Sequence, residues 1–200
     1  KYALVVLAFL IPFHWDTLSV TSTQGGSTLV HVVFGGDMMF DRYIRQVAGT
    51  VGGDYLFSCI DQLLLPADLV VANLEGPITH GESLNAQYTF TFPLSTAALL
   101  YRHNVRVVNL GNNHILDFGR EGLLQTKVAL DLAGVKYFGA DESAVIVEVK
   151  GIQLSLINYN EFSQDDNGMI YHTIQAARDS GRIPIIYAHW GVEYEPTPEE

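Results

Sequence analysis

Two hundred residues, 48% hydrophobic and 16% charged, describe one packed globular domain and exclude a disordered, repeat or low-complexity chain. Eleven basic against twenty-two acidic side chains give a net charge of -11, which repels phosphate backbones and excludes nonspecific nucleic-acid binding. The single cysteine, Cys59, excludes an internal disulfide and thiolate metal chemistry.

Lys1 is followed by YALVVLAFLIPF, an apolar run short for a bilayer span but matched to the hydrophobic stretch of a signal segment. Residues 1–18 are therefore expected to be an N-terminal signal or anchor remnant, a docked strand or helix being the alternative. Residues 19–28, SVTSTQGGST, read as a polar linker, which leaves residues 29–200 as a membrane-tethered, extracytoplasmic domain.

Within that domain LVHVVF predicts a strand over 29–34 ending at Gly35-Gly36-Asp37, then a short helix in FDRYIRQVAG. DYLFSCIDQLLLPA puts Leu56, Ile60, Leu63 and Leu64 on one helical face, with Pro66 ending the helix. A strand over 69–73 runs into Asn73 and Glu75. The turn THGESLN and the YTFTF alternation predict a hairpin or flap within 77–93. Ser95 is placed as the cap of the helix TAALLYRHN. The strand VRVVNL, 105–110, drives into Gly111, Asn112, Asn113 and His114. A helix over 119–133 ends at Gly134, and strands follow near 135–138, 145–150 and 152–158, the last leading to Asn158 and Asn160. A helix over 171–180 precedes the strand from Ile183 that delivers His189, with Glu193 and Glu195 beyond. Early β/α alternation and later paired strands predict a two-sheet sandwich with flanking helices.

Four apolar strands thus finish on Asp37, on Asn73 and Glu75, on Asn113 and His114, and on His189. In open α/β sheets the ligand crevice lies at the carboxyl ends of the strands, so these groups can converge there. Carboxylate, carboxamide and imidazole together suit a divalent ion such as Mn, Fe(II), Zn or Mg. Glu75 is placed to bridge two ions, and paired metals suit phosphate-ester hydrolysis. The bland reading of GNNH is an Asn-rich turn closing a strand. Asp117 either orients the His114 imidazole or caps the following helix. Arg42 meets a substrate phosphate or carboxylate, or forms a surface ion pair. Glu193 and Glu195 are an acid/base pair, a substrate rim or solvated edge carboxylates. His31 is expected to face the second layer as a satisfied polar group, and His14, His80, His103 and His172 to lie on the surface.

GGDMMFDR, NLEGPIT, GNNHILDFG and HWGVEY resemble the successive motifs of the CapA-type poly-γ-glutamate capsule-synthesis proteins, a branch of the calcineurin-like metallophosphoesterase superfamily. The resemblance spans roughly residues 29 to 196. It implies a four-layer α-β-β-α sandwich and a metal-dependent hydrolase holding two ions of Mn, Fe or Zn. By the same resemblance Asp37 is the first-motif aspartate, Glu75 with Asn73 the bridging position, Asn113 the amide ligand and His189 a further ligand. His114 is the histidine that assists the leaving group. The implied partners are a capsule polymer or phosphoester substrate and a membrane synthesis complex. Metal ions would have to reverse the sign of the cleft before it met a polyanion. Two departures stand out: Met39 occupies the place of a customary histidine, and no Gly-x-His-x-His motif appears before Glu200, so a C-terminally truncated domain is expected. The rival readings are a noncatalytic, membrane-tethered subunit of a polymer synthesis or export complex and, more distantly, a metal-free glycosidase-like hydrolase using Glu193 and Glu195.

Overall fold

The computed structural model of the chain describes residues 17–22, 28–80, 89–162 and 167–191. Strands β1 (Thr17–Ser22), β2 (Thr28–Met38), β3 (Leu69–Leu74), β4 (Val105–Asn109) and β5 (Lys136–Phe138) form one sheet in that spatial order. β1 runs antiparallel to β2, and the other neighbours are parallel. Every residue of β3 is buried, as a central parallel strand covered on both faces requires. A second sheet holds β6 (Ala144–Val149), β7 (Ile152–Asn160) and β8 (Ile183–His189). Lys150 and Gly151, both with positive φ (49° and 81°), make the two-residue turn between antiparallel β6 and β7. β8 returns parallel to β7 through helix α5 (Asn167–Asp179).

The sheets pack face to face through Val30, Val32, Leu69, Val71, Val107 and Phe138 from the first and Val147, Val149, Leu154 and Leu156 from the second. The other face of the larger sheet is covered by the 3₁₀ turn Gly53–Phe57, α2 (Asp61–Leu64), α3 (Ser95–Arg102) and α4 (Gly119–Ala133), through Phe57, Leu64, Leu100, Leu123 and Leu130. Helix α1 (Arg42–Val51) buries none of its residues and lies at the margin. With α5 against β7 and β8, the layers run α-β-β-α, the order the motif resemblance implied. Each fully buried aliphatic side chain contributes about 1.5–3 kcal/mol, so these two cores hold the layers together. Along β7 and β8 the inward residues Leu154, Leu156, Ile183 and Ile185 give way to Asn158, Asn160, Tyr187 and His189, so the inter-sheet core ends in polar groups.

Helix α4 and its left-handed stop at Gly134 (φ 75°) match the expected bounds. Elsewhere long-range pairing overrode the local signal. Residues 17–22, expected to be anchor and linker, form the edge strand β1; residues 1–16 and 23–27 lie outside the described set. The helix expected over Leu56, Ile60, Leu63 and Leu64 is split into the 3₁₀ turn Gly53–Phe57 and α2 (Asp61–Leu64). Ser95 begins α3 but does not cap it; Leu94 holds the cap position without a side-chain bond. Ile78 and Phe92 meet in a parallel bridge and not in a hairpin register, while residues 81–88 of the expected flap lie outside the described set. His31 is exposed and not turned into the inter-sheet layer. His103, expected on the surface, is buried, stacked on Phe57 at 4.3 Å between Asp54 and Asp61.

Candidate metal centre

The glycines of GGD do not end β2. The strand continues through an irregularity between Phe34 and Asp37, where one extra residue on β2 re-aims the chain and sets Asp37 opposite Asn73. Asn73 is in turn opposite Asn109 on β4, so Asp37, Asn73 and Asn109 form one polar row across three parallel strands. Glu75 follows β3, its N–H donating to the Met38 carbonyl at 3.1 Å. From the facing sheet His189 closes the row, paired in register with Asn160.

Asp37, Glu75 and His189 bring one ligand atom each within 4.8 Å of one another. His189 Nδ1 is 3.6 Å from Asp37 Oδ1, and its Nε2 is 3.5 Å from Glu75 Oε1 and 3.0 Å from Asn113 Oδ1. Asn73 Nδ2 donates to Asp37 Oδ1 at 2.8 Å and to Glu75 Oε2. Burial, followed by the Asp37 charge, pushes the Glu75 carboxyl up to about 7 against the opposing pull of His189 and Asn73. Burial also works against the Asp37 charge, but hydrogen bonds from His189 and Asn73, with the charges of His189 and His114, hold that carboxyl below its usual range. His189 is raised, since the Asp37 hydrogen bond and the two carboxylate charges outweigh its desolvation. Two carboxylates crowded on one imidazole are a site short of positive charge, and a divalent cation fits that donor set. Tyr187, partly buried beside the site, is held far above its usual range by desolvation and then by the Asp37 charge; it donates to the Gly35 carbonyl and stays neutral.

A second cluster lies on the β4–α4 loop. His114 Nδ1 bonds Asp117 Oδ2 at 2.9 Å, and the same oxygen accepts the Phe90 N–H at 2.7 Å. Phe118, and not Asp117, holds the cap position of α4, and the Asp117 carboxylate bonds the His114 ring. Phe90 sits 4.3 Å from the His114 ring and under the Arg42 guanidinium at 4.7 Å. The Met39 sulfur accepts the Asp41 N–H at 3.1 Å, at the start of α1. Glu193 and Glu195 lie outside the described residues.

The structure thus brings together Asp37, Asn73, Glu75, Asn113 and His189, with the His114–Asp117 pair beside them. Sequence reasoning named Asn112 only as part of the polar turn and missed Asn109; the two hold Asn73 from behind at 3.0 and 3.2 Å. The available signal was an asparagine ending an otherwise apolar buried strand, where burial is tolerated only with hydrogen-bond partners.

The strand ends of this α-β-β-α sandwich gather two carboxylates, an imidazole and carboxamides at the carboxyl edge of the sheets, a donor set that suits a divalent cation. The chain belongs to the bacterial capsule synthesis protein PGA_cap family, whose model matches residues 31–200. It is 25% identical over 222 residues to the PGA biosynthesis protein CapA of Bacillus subtilis (strain 168), covering 98% of this chain and 58% of that protein. It is 24% identical over 192 residues to the capsule biosynthesis protein CapA of Bacillus anthracis, covering 82% and 47%. The chain therefore spans about half the length of the curated relatives it matches. Among solved structures, the NAD nucleotidase NadN of Haemophilus influenzae overlays with a TM-score of 0.46 at 14% identity, over 90% of this chain and 32% of that one.

Proposed function

We propose that this chain forms the metal-binding part of a metallophosphoesterase-type hydrolase serving capsular poly-γ-glutamate biosynthesis, with a phosphoester or the capsule polymer as substrate. The observation that carries this reading is the Asp37–Glu75–His189 triad at the carboxyl edge of the sheets. Those three side chains would hold the cation, Mn, Fe or Zn, with Asn113 Oδ1 alongside His189. Bound there, one or two such ions supply Lewis acidity and activate water.

The chain's own residues supply the rest. Asp117 accepts from Nδ1–H of His114 and so orients the ring; in the imidazolium form Nε2–H is the proton that the leaving oxygen takes. Phe90 packs against that imidazole, and Arg42 would offer a cation to an anionic substrate at a site otherwise dominated by carboxylates. No described helix is long and apolar enough to cross a membrane. The tether in this proposal is the apolar segment 2–13, which holds the domain on the extracytoplasmic face near its synthesis complex.

A second reading, a noncatalytic subunit of that complex, is favoured by Met39, whose sulfur is engaged by the Asp41 N–H where a second ligand would be wanted. Metal analysis of full-length protein purified without chelator separates the two, combined with Mn²⁺-stimulated hydrolysis of simple phosphodiesters. We expect transition metal in the parent and less in Asp37→Ala and His189→Ala. Equal, near-zero metal in all three removes the hydrolase reading, and bound metal without turnover selects the noncatalytic subunit.

A further inference from the structure

A carboxamide can turn either its oxygen or its NH₂ towards a neighbour, and the two choices give opposite chemistry beside a metal site. Here the backbone decides. Asn112 Nδ2 donates to the Leu74 carbonyl at 2.8 Å, while its Oδ1 accepts the His114 N–H at 3.1 Å. Reversing it would set oxygen against oxygen and N–H against N–H. Its NH₂ therefore faces Asn73, and the Asn73 atom that meets it at 3.0 Å is the oxygen. Asn109 is pinned in the same way by Gly111, accepting from the N–H at 3.1 Å and donating to the carbonyl at 3.3 Å, and it gives its second donor to the same Asn73 oxygen at 3.2 Å. Asn73, Asn109 and Asn112 are all buried, so no solvent competes for these bonds.

With both lone pairs of its oxygen filled from behind, Asn73 turns its NH₂ inward to Asp37 and Glu75. An amide nitrogen has no free lone pair for a cation. We propose that Asn112 is a positioning residue that locks Asn73 as a hydrogen-bond donor gathering Asp37 and Glu75, so that Asn73 is not itself a metal ligand. Through its bond to the His114 N–H, the same side chain ties the carboxylate cluster to the loop that carries the proton donor. The cation-binding consequence rests on the function proposed above; the orientation of Asn73 does not.

The test uses ¹⁵N-labelled full-length protein, with the Asn73 side-chain NH₂ signals identified by their loss in Asn73→Ala. In metal-free parent those protons exchange slowly, they stay protected when Zn²⁺ is added, and the protection is lost in Asn112→Ala. Calorimetry with Mn²⁺ is expected to show about 10- to 100-fold weaker binding for Asn73→Ala and for Asn112→Ala alike. The double variant should bind no more weakly than the weaker single one, because one residue acts through the other. Fast exchange in the parent, loss of protection on adding Zn²⁺, or additive losses of affinity would overturn the proposal. If Asn112→Ala does not fold, the parent's exchange with and without Zn²⁺ still decides. A parent that binds no Mn²⁺ sinks the metal reading alone and leaves the exchange measurement to judge Asn112.

Discussion

Replacing Glu75 by Gln should stabilise the metal-free protein above neutral pH. Glu75 is 11% exposed at its side chain, and its carboxyl stands at about 7 against an ordinary 4.5. At 1.36 kcal/mol per pH unit that difference is worth about 3 kcal/mol. Because the raised value means that the folded state holds the proton more tightly than the unfolded chain, stability falls as pH rises from about 4.5 to about 7 and stays low above it. His189 acts in the same direction: its raised value adds stability below about 6.5, lost as pH climbs through the folded value. Asp37, held low, contributes above its ordinary 3.8 and loses that contribution only in stronger acid. Glutamine keeps the shape of Glu75 without its charge, so the variant should match the parent near pH 4.5 and exceed it by about 2–3 kcal/mol at pH 8. Urea unfolding in the presence of a chelator, from pH 4.5 to 8, measures both curves. With Mn²⁺ the order should invert, since ligands must be deprotonated to bind and the parent alone then gains from the ion. Parallel curves, or a variant less stable than the parent at pH 8 without metal, would refute this account of the triad.

His114→Ala should lower turnover about 10²- to 10⁴-fold while retaining bound metal, whereas Asn113→Ala should release metal; equal metal loss in both, by elemental analysis, would show the roles misassigned. Gly111→Ala should cost about 1–3 kcal/mol in denaturant melts, because a Cβ there falls inside the Asn158 carboxamide, while Gly36→Ala, with nothing within 4 Å, should cost far less. His103→Leu should lose about 1–3 kcal/mol in urea, since the ring bonds Asp61 at 2.7 Å and Asp54 at 2.8 Å; an unchanged midpoint would assign its burial to the Phe57 stack alone.

The order and type of the strand-end residues were legible in the sequence because each apolar run states its own period and the polar residue that stops it. Asp37, Glu75, Asn113, His114 and His189 are named by that rule, as are α4 with its Gly134 stop and the alternation that predicts two sheets between helices. The offset that puts Asp37 opposite Asn73 was not legible, because a bulge is defined only against the partner strand. The same holds for β1, whose polar residues read as linker until β2 pairs with them, and for His103, whose burial depends on Asp54 and Asp61 more than forty residues away. Least legible of all was the direction of Asn73. Its residue type announces an oxygen ligand and a nitrogen donor equally, and only the packed backbone of Leu74, Gly111 and His114, acting through Asn112 and Asn109, decides which one faces the carboxylates.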